Sequence, residues 1–143
     1  MKKIILICLF CFLILGCKQK APDCTASETQ ELVINIVKEQ AMEVFIGERR
    51  LREMGMSPEK IEEHKTSTIN LYKERGLDIN QITFNLEAIR TIKVEDNGNC
   101  LCKANLIMKG YMPNNSGEKS IPIRYTSELT DNEDEFLVTV YDF

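Results

Sequence analysis

The sequence predicts an α+β domain in which N-terminal helices pack on a four-stranded antiparallel sheet. Apolar residues recur at helical spacing between residues 27 and 75, whereas from Ile82 onward they alternate with polar residues as in a half-buried strand. Turn residues divide this second half of the chain into four segments. Because the helices precede the strands and do not alternate with them, the order favours an α+β class over a parallel α/β class.

Two helices and a short helical turn account for the first half. Residues 27–30, Ser-Glu-Thr-Gln, and residues 25–28, Thr-Ala-Ser-Glu, each fit a capping box at the start of the first helix, and Gly47 is a suitable stop. A charged helical turn is expected over residues 48–54. The Ser-Pro pair at 57–58 predicts the start of a second helix, which we expect to run to residue 75, stop at Gly76 and lie on the surface over part of the sheet.

The first two strands are expected to form a hairpin. One apolar face is predicted along residues 82–94, and a second along residues 100–108. A three-residue loop, a type I turn followed by a bulge with Gly98 left-handed, would pair Val94 with Cys100 and Ile92 with Cys102. The alternative is a tighter, two-residue type I′ turn at Asn97-Gly98, which would pair Val94 with Leu101 and place the two apolar faces on opposite sides of the sheet. The three-residue loop is predicted because it keeps both apolar faces on one side.

The last two strands are predicted on either side of an acidic loop. A polar loop is expected over residues 112–119, followed by a strand whose Pro122 marks a sheet edge or a strand start. The final strand is expected over residues 136–143. Pairing Leu129 with Phe136 also sets Tyr125 opposite Val140.

The N-terminus has the layout of a secretory signal. Two lysines precede an uncharged apolar run over residues 4–15, which is too short to span a bilayer as a helix, and Gly16 precedes Cys17. This stretch resembles the lipobox of bacterial lipoproteins. The resemblance implies diacylation of the Cys17 sulfur, cleavage between Gly16 and Cys17, and acylation of the new amino group. The alternatives are an ordinary cleaved signal peptide and an uncleaved membrane anchor.

The predicted domains are a signal peptide (1–16), a lipidated tether (17–23) and one α+β domain (24–143), because the 127 residues left after cleavage suffice for one domain. The resemblance places the protein in the cell envelope, anchored to the membrane through its lipid and facing the periplasm or the cell surface. In the family an Asp after the lipidated Cys retains the protein in the inner membrane of Gram-negative cells. Lys18 stands at that position, and the absence of Asp favours the outer membrane if the cell has one.

The charge balance argues against a nucleic-acid partner. The chain has 18 basic and 22 acidic side chains, and loss of Lys2 and Lys3 with the signal makes it more acidic still. Phosphate backbones attract basic surfaces, and no basic stripe with interleaved aromatic residues occurs in the sequence. The locally basic segment at 48–53 is flanked by acids, so we interpret it as a solvated helix face in preference to an anion site.

Three cysteines remain after cleavage and lipidation, an odd number in an oxidising compartment. Cys100 and Cys102 lie two residues apart on one strand face, at about 6–7 Å, which is too far for them to pair with each other. Cys24 is therefore expected to pair with one of them. Metal ligation by the three thiols is disfavoured because the single histidine, His64, lies in a distant polar helix.

A second resemblance concerns the fold. A long helix laid across a curved antiparallel sheet looks like the cystatin-like and NTF2-like folds. Small bacterial lipoproteins of that shape show similar features: Asp23-Cys24 before the helix, a strand with Cys102-Lys103-Ala104, and a late strand with residues 123–126, Ile-Arg-Tyr-Thr. The resemblance implies the fold and the compartment, and it favours Cys102 as the partner of Cys24, with Cys100 second. It implies no activity.

The sequence predicts no enzyme, no metal site and no cofactor. His64 lies in a glutamate-rich helix, and neither Cys100 nor Cys102 has a histidine partner on a neighbouring strand. The acidic loop at 131–135 lacks the glycine and the distal glutamate of an EF-hand.

The favoured function is binding of an envelope protein, as an immunity, exclusion or inhibitor protein does. The expected contacts are the loop at 114–119 and the acidic side chains Asp131, Glu133 and Asp134, because loops on a rigid scaffold commonly carry function. The alternative is a carrier of a small apolar ligand in a cup between sheet and helices. The methionines that could line such a cup are Met42, Met54, Met56, Met108 and Met112.

Overall fold

A computed structural model describes residues 21–130 and 135–141. Cys17 and the acidic residues Asp131, Glu133 and Asp134 lie outside the described residues. The described chain contains three α-helices and one four-stranded antiparallel sheet, which confirms the predicted α+β class.

The elements follow in the expected order. The helices are α1 (Ser27–Ile46), α2 (Glu48–Glu53) and α3 (Pro58–Glu74). The strands are β1 (Thr83–Val94), β2 (Cys100–Met112), β3 (Ser116–Leu129) and β4 (Phe136–Tyr141), and their order in the sheet is β1-β2-β3-β4. Two short 3-10 turns, Ile79–Gln81 and Pro113–Asn115, connect α3 to β1 and β2 to β3.

The helix ends agree with the sequence except at the first N-cap. Gly47 ends α1 with a φ of 73°, a backbone conformation that glycine adopts without steric cost, and Pro58 begins α3. The capping-box interpretation is wrong, because Ala26 is the N-cap residue, Ser27 is already helical, and no side chain caps the helix.

One face of the sheet packs against α1 to form the main core. Val33 and Val37 of α1 are fully buried there. The other buried members of this cluster are Cys24, Leu86, Cys100, Cys102, Ala104, Leu106, Ile123, Tyr125 and Val138. A second, smaller cluster of Leu77, Ile79 and Ile82 lies between α3 and the start of β1.

Helix α3 lies on the surface, and Ile61 is its only buried residue. Its partly buried Ile69 and Tyr72 join the second cluster. The Tyr72 ring meets Phe45 of α1 edge-on at 6.1 Å between centroids, so α3 packs partly on α1 and partly on one end of the sheet.

The single apolar face predicted for β1 is wrong beyond Leu86. A β-bulge sets Ala88 and Ile89 together against Ala104 of β2, and Ala88 has a φ of 51°. Because side chains alternate along a strand, the extra residue turns Ile89 toward the core in place of Ala88.

A second register shift in β1 changes the pairing at Cys102. Its partner is Thr91 and not the predicted Ile92, because Ile92 is an extra residue without a partner. The predicted pair Val94–Cys100 is nevertheless present. Ile92 and Val94 are 52% and 61% exposed, so the far end of β1 does not contribute to the core.

The β1–β2 loop has the predicted geometry. The Gly98 N–H donates to the Glu95 carbonyl at 2.9 Å, and the Glu95 N–H donates to the Asn99 carbonyl at 2.8 Å. Gly98 has a φ of 89°, whereas Asp96 and Asn97 are not among the positive-φ residues. The type I turn plus bulge is therefore confirmed over the tighter type I′ turn.

The polar loop predicted over residues 112–119 is wrong. β2 continues to Met112 and β3 begins at Ser116, so only the short turn Pro113–Asn115 separates them. Asn114 and Asn115 have φ values of 60° and 48°, which asparagine tolerates better than most residues. The Asn114 N–H donates to the Gly76 carbonyl at 2.6 Å, so this turn is attached to the end of α3.

Asn115 fastens the same turn to the rest of the fold. Its Nδ2 donates to the carbonyls of Asp78 at 2.9 Å and Gly110 at 3.2 Å. We expect Asn115→Ala to lower the free energy of unfolding by about 1–3 kcal/mol, because it leaves two partly buried carbonyls unsatisfied. Urea denaturation measures the loss. Asn80 is the control, because it is exposed and its side chain makes no hydrogen bond to a described residue. Asn80→Ala should change stability far less than Asn115→Ala. Equal losses in the two variants would contradict the proposed role of Asn115 in holding the turn.

The β3–β4 register matches the sequence prediction. Leu129 pairs with Phe136, and Tyr125 pairs with Val140. In the described part of the chain, β4 reaches only as far as Arg124, so the first half of β3 pairs with β2 alone. Pro122 lies in that half, which confirms its predicted place on a sheet edge.

Candidate functional site: a cleft beside the edge of strand β3

A cleft of about 950 Å³ opens between the C-terminal half of α1, helix α2 and the end of the sheet where β2 meets β3. This volume falls within the range of small-molecule and cofactor sites in proteins. The cleft is lined by Gln40, Ala41, Glu43, Val44, Phe45, Gly47, Arg49, Arg50, Glu53, Met108, Lys119 and Ile121.

The floor of the cleft is apolar. Ala41 and Phe45 contribute from α1, and Met108 and Ile121 contribute from the helix-facing side of the sheet. Val44 lies at the cleft and is 80% exposed, an unusual position for a valine beside four other apolar residues. The floor is thus partly open to water.

The rim of the cleft is predominantly basic. Arg49, Arg50 and Lys119 are exposed, and none of them forms an ion pair within the described residues. The acidic members of the rim are Glu43, whose carboxylate lies 3.9 Å from the Arg52 guanidinium, and Glu53. The cleft therefore presents three cations against one carboxylate without a cationic partner, on a chain whose net charge is −4.

The sequence did not reveal this site. The solvated helix face expected for the arginines agrees with their exposure, but only the fold brings α2 next to Lys119, far along the chain in β3. Of the methionines considered for a ligand cup, Met108 alone lines the cleft. The available signal was the pair of adjacent arginines in a largely acidic chain.

Of the residues predicted to contact a partner, those that the structure describes lie in two different places. Asp131, Glu133 and Asp134 lie outside the described residues. Asn114 and Asn115 hold the β2–β3 turn, whereas Lys119, at the end of the predicted contact loop, lines the cleft. Among the residues described, no cluster of three or more metal-ligating side chains occurs.

A disulfide joins Cys24 to Cys102, with their Cα atoms 5.7 Å apart, which is the pairing that the fold resemblance favoured. Cys100, the second choice, is free and buried. Burial raises the pKa of the Cys100 thiol, and the nearby Asp23 carboxylate adds to the shift. Because the thiolate is the nucleophilic form, this thiol is poorly suited to covalent catalysis at neutral pH.

A buried tyrosine, like the disulfide, attaches Cys24 to the sheet. The Tyr125 hydroxyl donates to the Cys24 carbonyl at 2.8 Å, and its side chain is fully buried. The disulfide and this hydrogen bond tie the residues just before α1 to β2 and β3. They thereby help to set the position of α1, which forms one wall of the cleft.

Comparisons with known proteins add no family or relative to this geometry. No protein-family model matches the chain, and no similar curated protein or solved structure was found. Across residues 21–130 and 135–141, no helix combines the length and apolar character needed to cross a membrane.

Proposed function

We propose that the chain is a lipid-anchored lipoprotein of the bacterial envelope that binds a protein partner and catalyses no reaction. Its role would be that of an immunity, exclusion or inhibitor protein. The lipobox-like segment ending at Cys17 supports the anchor and the compartment, with the outer membrane favoured in a Gram-negative cell.

The partly open cleft carries the proposal of a protein partner. Ligand sites for small molecules bury most of the ligand surface. A small apolar molecule beside Val44 would remain partly in water, whereas a protein segment could cover both the floor and the charged rim. An apolar centre surrounded by charged residues is also the usual organisation of a protein interface.

A carrier of a small apolar ligand is the second candidate. The size of the cleft and its floor of Ala41, Phe45, Met108 and Ile121 favour it. The two functions differ in what saturates the cleft. Binding of palmitate to the purified protein, abolished by Phe45→Asp, would favour the carrier.

We also propose that the domain has the cystatin-like or NTF2-like fold, on the basis of one long helix packed on a four-stranded antiparallel sheet. The proposed boundaries remain a signal peptide over 1–16, a tether over 17–23 and one domain over 24–143. An experimental structure in which the β-sheet is flat, or in which α1 leaves the sheet uncovered, would contradict this fold.

Lipidation predicts a phase behaviour that one substitution removes. The mature protein should partition into the detergent phase of Triton X-114, and Cys17→Ser should move it to the aqueous phase, because stable anchoring requires the acyl chains. Cys11→Ser, within the apolar run, is the matched control and should leave partitioning unchanged. An intact mass that shows no lipid on the wild-type chain, or that retains residues 1–16, would contradict the prediction.

The partner-binding proposal is tested by capture from the envelope. The lipidated protein should recover one or a few proteins that Val44→Asp loses by about tenfold or more, as expected for an interface centre. Leu71→Asp makes the same change on α3, where the leucine is also exposed, and should retain them. Equal recovery by both variants would remove the cleft from the interface.

The acidic loop is tested separately in the same capture. A protein with Asp131→Asn, Glu133→Gln and Asp134→Asn should bind less partner, and wild-type binding should weaken as salt rises. Unchanged recovery by this variant would exclude the loop as a contact.

A further inference from the structure

Two hydrogen bonds show which way the backbone groups of β3 point. The Leu129 N–H donates to Asn99 Oδ1 on the β2 side at 3.0 Å, and the Thr130 N–H donates to the Glu135 carbonyl on the β4 side at 3.0 Å. Since N–H groups alternate in direction along a strand, the even-numbered residues of β3 direct their N–H and C=O groups away from β2. The β2–β3 register continues without a shift from Ser127 to Glu118, so this direction holds along that length.

Within residues 21–130 and 135–141, the first half of β3 has an unpaired edge. Tyr141, the last described residue of β4, pairs with Arg124, and no described strand continues beyond it. Along this edge Glu118 and Ser120 each present an N–H and a C=O. Pro122 presents only a C=O, so its missing N–H costs no hydrogen bond and marks where pairing along this edge stops. The edge available to an added strand is Ser116–Ile121, about 20 Å long.

Beside this edge, the side chains on the helix-facing side of β3 line the cleft. Lys119 pairs with Met108 and Ile121 pairs with Leu106, so Lys119 and Ile121 lie on the helix-facing side of β3. A strand added along the edge would direct every second side chain to that same side. Those side chains would lie over Ile121 and Val44 and opposite Lys119, with the arginines of α2 across the cleft.

The charges of the rim favour acidic over basic side chains in such a strand. Arg49, Arg50 and Lys119 have no ion-pair partner within the described chain. Of the two cleft carboxylates, Glu43 lies near Arg52, which leaves Glu53 alone against the three cations. Carboxylates on an incoming segment would meet three cations with no internal pair to break, while a basic segment would meet repulsion. The apolar floor requires an apolar side chain between those carboxylates.

We propose that the cleft and the β3 edge together bind an extended segment of the protein partner, which adds a fifth strand beside Ser116–Ile121. Its cleft-facing positions carry an apolar side chain flanked by acidic ones. Main-chain hydrogen bonds to Glu118 and Ser120 provide affinity, and the cleft provides specificity, as in other strand-addition complexes. This inference rests on the proposed protein-binding function and specifies its site and chemistry.

The test selects peptides on the lipidated protein held in detergent micelles. Random dodecapeptides displayed on phage are panned against it. In the enriched sequences, every second position should carry an apolar residue flanked by acidic ones, with other residues at the positions between them. Binding of the enriched peptide should fall about tenfold or more when Arg49, Arg50 and Lys119 are all changed to Gln. The matched control changes the exposed Lys60, Lys73 and Arg75 of the α3 region to Gln, which removes the same charge and should leave binding within about twofold.

Two further measurements examine the strand edge itself. The bound peptide should slow amide hydrogen exchange at Glu118 and Ser120, the two residues whose N–H groups face the edge. Ser120→Pro removes one of those donors at a position equivalent to the tolerated Pro122, and it should weaken binding about tenfold. If this variant fails to fold, the exchange experiment on the unaltered protein still decides the point.

Several results would overturn the inference. These are the absence of enrichment, enrichment of basic or uncharged peptides, protection confined to α1 and α2, or displacement of the peptide by palmitate at similar concentration. Failure of the proposed function is recognised separately. If envelope capture recovers a partner that the charge variant and Ser120→Pro both retain, the function stands and the strand-addition site is wrong; if capture recovers no protein, the function itself is wrong.

Discussion

Removal of the Cys24–Cys102 disulfide is expected to lower the free energy of unfolding by about 2–5 kcal/mol. The bridge joins residues 78 positions apart, for which loop-closure entropy alone predicts roughly 4.5 kcal/mol as an upper estimate. Both cysteines are fully buried, so their loss also removes core contacts. Cys24→Ala and Cys102→Ala are combined so that Cys24 cannot pair with Cys100 instead.

Guanidinium denaturation of the wild-type and double-variant proteins measures this loss. Cys100→Ala is the matched control because it removes a buried cysteine from the same cluster and leaves the bridge intact. It should lower stability by about 1 kcal/mol. If the double variant loses no more than twice the control, the bridge contributes nothing beyond packing, and peptide mapping that finds Cys24 as a free thiol would contradict the pairing itself.

Tyr125→Phe is expected to lower the free energy of unfolding by about 1–3 kcal/mol, because it leaves the buried Cys24 carbonyl without its donor. The ring remains, so packing is nearly preserved.

The hydroxyl also makes the stability of the protein depend on pH. Burial raises the pKa of Tyr125 from 10 to about 12, so its neutral form is favoured by folding.

The direction of this dependence follows from proton linkage. Below pH 10 the hydroxyl is neutral in the folded and the unfolded chain, and its stabilisation is fully present. Between pH 10 and 12 the unfolded chain ionises first, so stability declines as pH rises toward the folded-state pKa. The difference in stability between wild type and Tyr125→Phe should therefore shrink over this interval.

Urea midpoints recorded at several pH values for both proteins test this prediction. Tyr141→Phe provides the control, since that tyrosine is exposed and its substitution should change stability little. A difference for Tyr125→Phe that stays constant from pH 9 to 12 would show that the hydroxyl does not titrate through folding.

Local patterns determined most of the secondary structure. The left-handed stop at Gly47, the proline start of α3 and the loop with left-handed Gly98 each depend on a few neighbouring residues. The β3–β4 register was predictable as well, because matching Leu129 with Phe136 keeps both apolar faces on one side of the sheet. These features were open to sequence reasoning because their determinants lie within short distances along the chain.

Two features of the strands were not predictable in the same way. The bulge at Ala88 contains no glycine to mark it, and the turn at Asn114–Asn115 resembled an ordinary polar loop. At the turn, contacts with distant parts of the chain hold the backbone. Asn115 is held by Asp78, which precedes it by 37 residues, and by Gly110, which precedes it by five.

By itself the sequence determined the α+β class, the element order and a cysteine set in which Cys24 needs a partner from β2. Only the tertiary structure decided that Arg49 and Arg50 face the same cleft as Lys119, and that β4 leaves half of β3 with an unpaired edge in the described chain. The physical reason is that helix and strand periods are local, whereas a cleft is formed by residues that chain folding brings together from distant elements.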